Sequence, residues 1–269
     1  MADVFGMDAY SPREIANRVN EFAVVKARMP LLTMSMLGAL AGAFIGLGAM
    51  MFTLVVSDAS LGFAAQRLLG GLVFSLGLVL VVVAGAELFT GNNLLAMAWA
   101  SGRVTSAQVL RNWLVVCSAN ALGAVALALL VWGAAQAQMN SGAVGLAAQK
   151  IALAKQALPP GEAFFRGVLC NVLVCMAVWM SLAGRSVTDK LLAIVFPITA
   201  FVAAGFEHSI ANLYFFPLAW LLGAPLTLGG VATNLALVIA GNLVGGSVLV
   251  ALVYWVVYLR DVPAPPPAT

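Results

Sequence analysis

Ala84-Gly-Ala-Glu-Leu-Phe-Thr-Gly-Asn92 and Ala204-Gly-Phe-Glu-His-Ser-Ile-Ala-Asn212 decide how this chain folds. The two segments agree at four positions, 120 residues apart. Downstream, Asn112, Asn120 and Gly123 match Asn234, Asn242 and Gly245 at an offset of 122. Two copies of one unit are predicted. Each segment interrupts an apolar run, Leu68–Ala100 and Leu191–Leu222, of 33 and 32 residues. At about 1.5 Å per residue such a run approaches 50 Å of helix, whereas roughly 20 residues suffice to cross a bilayer. A glutamate at mid-membrane costs roughly 2.5–3.5 kcal/mol. Both helices are therefore expected to stop at the Gly-x-Glu, pass through buried backbone and resume. Non-helical backbone at that depth survives only when it is buried in protein or lines a cavity, so two breaks meeting from opposite sides enclose a passage. Pro197 and Pro217 weaken the second long helix further.

Outward from these segments, the composition fixes the environment. Of 269 residues, 63% are hydrophobic and only 9% charged, with a mean hydropathy of +1.04; soluble domains carry about 25% charged residues, which excludes one here. Six spans are predicted, near Leu31–Val56, Leu68–Ala100, Val109–Trp132, Phe164–Leu182, Leu191–Leu222 and Val231–Leu259. The fold class is thus an all-α membrane protein, with repeats at approximately 31–133 and 164–259 in a pore domain over 31–260. Three spans per copy is an odd number, so the second copy inserts upside down, as in inverted-repeat transporters. Nine basic residues fall on the side of the termini and four (Arg67, Lys150, Lys155, Arg166) opposite, which orients both termini to the cytoplasm. Residues 1–30 form a cytoplasmic segment. Within it Ser11-Pro-Arg-Glu14 reads as a capping box, and Ile15, Val19 and Phe22 recur at helical spacing, so an amphipathic helix at the interface is predicted, as anchor or as lid. Residues 261–269 are a proline-rich tail read as disordered and cytoplasmic. Gly38, Gly42 and Gly46 form a small-residue row for close helix contact, within one subunit or between subunits.

Three cysteines without a CxxC pair and one histidine cannot assemble a zinc site, and they supply no catalytic constellation. Neither a cofactor nor a nucleic-acid partner is expected. The buried polar residues carry the remaining signal. Glu87 and Glu207 are read as acceptors for backbone N–H groups freed at the breaks, with Asn212 beside the second. Asn171, deep in an apolar run, can donate to a passing anion or to an unwound carbonyl. Asn112, Asn120, Asn234 and Asn242 tie helices together. His208 follows its break directly where the other copy has Leu88, so the fold itself does not require it, and it is placed facing the pore with Thr90 as the neighbouring hydroxyl. An anion in a narrow apolar passage loses its water at an idealised cost of order 20 kcal/mol. His208 is expected to offset that cost as a proton partner.

Gly85-Ala-Glu-Leu-Phe-Thr-Gly91, Gly167-Val-Leu-Cys-Asn-Val-Leu-Val-Cys-Met-Ala177 and Phe206-Glu-His-Ser-Ile-Ala-Asn212 resemble the signatures of the formate/nitrite transporter family, and the likeness is continuous from Glu162 to Pro217. The resemblance implies a homopentamer of aquaporin-like subunits in the inner membrane among its lipids, each with a pore. It assigns Thr90 and His208 to the central polar pair and Asn171 to the pore lining. Phe74, Leu78, Leu88 and Phe201 match its apolar constrictions, and Lys155 the basic residue at the periplasmic mouth. Leu213-Tyr-Phe-Phe-Pro-Leu218 resembles the formate branch more than the nitrite branch. Formate is the expected substrate; nitrite or hydrosulfide is the alternative within the family, and a neutral solute the alternative outside it.

Overall fold

Residues 9–260 are described in a computed structural model; the tail at 261–269 lies outside them. Helix α1 spans Pro12–Ala27, and the long helices are α2 (Leu31–Val56), α6 (Ser106–Gly133) and α8 (Pro160–Ser181). Between α2 and α6 the chain forms α3 (Phe63–Phe74), α4 (Leu76–Val83) and, after a break, α5 (Leu95–Ala100). Helix α7 (Ala143–Gln156) precedes α8. Beyond it lie α9 (Val187–Ala204), α10 (Ser209–Leu221) and α11 (Leu228–Leu243), which runs through a π-helical stretch at Val244–Leu252 into α12 (Val253–Tyr258). Six helical runs are long and apolar enough to cross a membrane: Leu31–Val56, Phe63–Val83, Ser106–Gly133, Pro160–Ser181, Val187–Ala204 and Leu228–Tyr258. The chain is a multi-pass membrane protein.

Both long runs are interrupted where the Gly-x-Glu segments fall. Gly85 and Gly205 stand at φ +81° and +77°, a conformation that glycine adopts without penalty. After each glycine the chain turns in the same way. The N–H of Ala86 reaches back to Val81 O and that of Phe206 to Phe201 O, at 2.9 and 3.0 Å. The row Gly38, Gly42, Gly46 packs inside the subunit. A Cβ on Gly42 would lie 1.9 Å from Asn120 O, and Gly38 and Gly46 face Ala119 and Leu127, so α2 and α6 touch backbone to backbone. Helices α8 and α11 repeat the arrangement through Gly241 against Phe164 O.

One expectation changes, and one helix is added. The apolar face of α1 is not left for lipid: Ile15 and Val19 are buried in one cluster with Leu94, Met97 and Trp179, while Phe22 stays exposed. The helix is docked on the pore domain because α5, just beyond the first break, offers it an apolar seat. Ser11 and Glu14 do form the capping box. Helix α7 was not foreseen; it packs against α10, where Gln149 donates to Leu222 O at 2.6 Å.

Candidate functional site

The two breaks are held by matching sets of side chains. Asn120 accepts the N–H of Phe89 at 2.9 Å and donates to Gly38 O and Glu87 O. Asn242 accepts the N–H of Ser209 at 3.0 Å and donates to Gly167 O and Glu207 O. These asparagines, with Leu37 O and Arg166 O accepting the glutamate N–H groups, satisfy the backbone that the breaks set free, as buried amides require. The reading of Glu87 and Glu207 as acceptors for that backbone is thereby corrected. Their carboxylates take side chains instead: Glu87 binds Lys26 at 2.7 Å and Asn92 at 2.8 Å, and Glu207 binds Lys155 and Asn212, both at 2.8 Å. Asn92 and Asn212 continue to Asn112 and Asn234. A buried carboxylate needs a charge and hydrogen bonds, and backbone amides alone would supply no charge.

Between the breaks lie Thr90 and His208. Thr90 Oγ1 is 3.1 Å from His208 Nε2, and both residues are buried. His208 is also the N-cap of α10: the Ala211 N–H donates to its Nδ1 at 3.2 Å. Since Nδ1 accepts, the ring proton sits on Nε2 and points at Thr90, which leaves the threonine hydroxyl hydrogen as a second donor. The ring N–H is thus engaged by the hydroxyl oxygen, and an arriving anion can take the hydroxyl hydrogen directly or the ring N–H in place of that oxygen. The His208 ring stacks on Phe201 at 5.8 Å, and Phe201 meets Phe74 edge-on at 5.7 Å.

Two cavities approach this pair. One, of about 350 Å³, is lined by Phe74, Phe201 and His208, with Arg67, Lys155 and Glu207 on its wall. The other, of about 710 Å³, is lined by Leu78 and Leu88, with Lys26 and Glu87 on its wall. The polar pair therefore stands between a phenylalanine constriction on one side and a leucine constriction on the other.

Asn171 differs from expectation. Asn171 is fully buried, and its amide nitrogen faces three carbonyl oxygens: Thr90 O at 3.2 Å, and Asn93 Oδ1 and Asn242 O at 2.7 Å. Two amide hydrogens cannot serve three acceptors and an anion as well, so the assignment of Asn171 to anion contact is corrected. It holds the backbone of Thr90. The Asn242 carbonyl that it engages lies just before the π-helical stretch at Val244–Leu252. Lys155 does line the first cavity, but its charge is paired there with Glu207. Removing one partner of a buried ion pair costs roughly 3–5 kcal/mol. Lys155→Met is accordingly expected to lower the unfolding temperature in detergent clearly, and Lys155→Met with Glu207→Gln to recover most of the loss. Equal destabilisation by the single and double variants would show that the pair is not what Lys155 contributes.

Sequence reading also missed the lysine of the first network. Lys26 and Lys155 precede their glutamates by 61 and 52 residues, so the nine-residue difference hides their equivalence from a comparison at fixed offset.

Six spans around a polar pair gated on both sides by apolar rings define a membrane pore protein. Comparison gives the lineage: residues 13–256 match the formate/nitrite transporter family, and the chain belongs to it. It is 38% identical to the formate channel FocA of Escherichia coli strain K12, over 94% of this chain and 96% of that protein. It is 37% identical to the nitrite transporter NirC of Salmonella typhimurium strain LT2, over 81% and 80%. Among solved structures, a pentameric formate channel with formate bound superposes with a TM-score of 0.79 at 36% identity, covering 86% of this chain and 98% of that one.

Proposed function

We propose that this chain passes formate across the cytoplasmic membrane through a pore of its own, as one subunit of a homopentamer with both termini cytoplasmic and its two three-helix units inserted in opposite senses. The observation that carries the reading is the Thr90–His208 pair at 3.1 Å, a hydroxyl and an imidazole in contact between apolar constrictions. A carboxylate stripped of water between Phe74–Phe201 and Leu78–Leu88 would find its hydrogen bonds there and nowhere else along those rings. The likeness to a pentameric formate channel supports both substrate and assembly. Exposed Leu114, Leu122, Leu130 and Phe196 give the outer face an apolar surface for lipid and for neighbouring subunits.

His208 is the donor through Nε2–H. Its role as proton partner acquires a condition: a second ring proton would occupy Nδ1, so Ala211 must first be released from the cap. Glu87, Glu207 and Asn212 secure the breaks, and Asn171 steadies the carbonyl of Thr90. The likeness to NirC supports nitrite as a second substrate. Purified protein in liposomes, compared for formate, nitrite, hydrosulfide and lactate uptake with and without a pH gradient, tests the reading. Formate should lead; a preference for nitrite or hydrosulfide would reassign the substrate.

A further inference from the structure

The first cavity holds a cation that neither the paired network nor the polar pair uses. Three basic side chains line it: Arg67, Lys155 and Arg166. Lys155 is paired with Glu207 at 2.8 Å and Arg166 with Glu162 at 2.7 Å. Among the described residues no carboxylate lies within salt-bridge distance of Arg67. Its guanidinium is instead fastened to backbone, with Nε donating to Ala203 O at 2.9 Å and Nη2 to Val202 O at 2.6 Å. Those carbonyls close α9 immediately before the break, and a Cβ on Gly205 would come within 3.0 Å of Nη2. The anchored edge of the guanidinium is Nε–Nη2, which leaves the Nη1–Nη2 edge, with no acceptor for Nη1 among the described residues. Arg67 is also seven residues before Phe74, on the same face of the run, and Val202 follows Phe201 directly.

We propose that Arg67 is the specificity-determining cation of this pore, receiving a planar two-oxygen monovalent anion on its free guanidinium edge just outside the Phe74–Phe201 constriction. The side-by-side hydrogens of a guanidinium edge match two oxygens of one anion, whereas an ammonium acts as a point charge. A charge without a counterion in a walled cavity raises the local concentration of anions. Anchoring by two backbone carbonyls fixes where that edge points. The selection therefore favours formate or nitrite over hydrosulfide, which has a single heavy atom and gains from the charge but not from the fork.

The inference rests on the anion-pore reading, and the experiment separates the two. Uptake of labelled formate into liposomes is measured at low and high ionic strength for the wild type, Arg67→Gln and Arg67→Lys, with unlabelled formate and hydrosulfide as competitors. All three proteins are first matched for assembly by size-exclusion chromatography. Arg67→Gln is expected to lose about threefold to tenfold of the uptake at low substrate and low salt, and with it the salt dependence. Arg67→Lys should keep the salt dependence and lose the preference for formate over hydrosulfide. If Arg67→Gln does not assemble, the competitor ratio of Arg67→Lys decides. Wild-type salt dependence in Arg67→Gln, or a wild-type competitor ratio in Arg67→Lys, would overturn the proposal and leave Arg67 a helix cap. A wild-type protein that passes no formate would sink the anion-pore reading itself.

Discussion

His208→Phe is expected to bring formate flux down to that of protein-free vesicles while the yield of assembled protein stays at the wild-type level. The substituted ring is somewhat larger and can keep the stack on Phe201, so the passage is not opened. What disappears is the Nε2–H facing Thr90 and the Nδ1 acceptor for Ala211. Losing an N-cap costs about 1 kcal/mol, too little to unfold the protein. Losing the imidazole N–H beside Thr90 costs far more to an anion whose dehydration is idealised at order 20 kcal/mol. His208→Asn separates binding from proton exchange. Asparagine is a good N-cap, so its carbonyl can take the Ala211 N–H, and its amide can donate toward Thr90. It carries no titratable proton. Flux in His208→Asn should survive in part and lose the pH dependence of the wild type between pH 5 and 8. A well-assembled His208→Asn protein with wild-type pH dependence would place the exchanging proton elsewhere.

The second large effect is expected at a residue that touches no anion. Asn242→Leu leaves the Ser209 N–H and Glu207 O without their partner in a fully buried site, and takes from Gly167 O the bond it accepts beyond its helical one. Each such orphan costs about 1–3 kcal/mol, against a net folding stability of roughly 5–15 kcal/mol. The variant should fail to yield monodisperse protein, or yield it with an unfolding temperature far below the wild type. Asn242→Asp restores only the acceptor for Ser209 and should rescue little. Wild-type yield and flux from Asn242→Leu would mean that the second break is held by something other than this asparagine. Asn120→Leu is the matching test at the first break.

Much of this arrangement was legible in the chain. Span number followed from apolar length, and the two interruptions from Gly85 and Gly205 beside buried acids. The nearness of His208 to Thr90 is what its lack of a counterpart at Leu88 suggested. What was hidden has physical causes. Glutamate at a break looks the same whether it caps backbone or binds a lysine 61 residues away, and only three-dimensional contact separates the two. Asn171 could have donated to solute or to backbone, and nothing in its neighbours says that Thr90 O lies 3.2 Å off. Arg67 looked like one more basic residue on the minority side, because its partners are carbonyls and carbonyls leave no trace in a sequence.

An anion, rather than a neutral solute, is expected to pass between the two breaks. The most direct measurement is formate uptake and glycerol permeation in the same batch of wild-type proteoliposomes, each corrected for protein-free vesicles. Formate uptake well above the protein-free rate, with glycerol at that rate, is the result expected from a hydroxyl–imidazole pair set between apolar side chains. Glycerol permeation with formate excluded would contradict it.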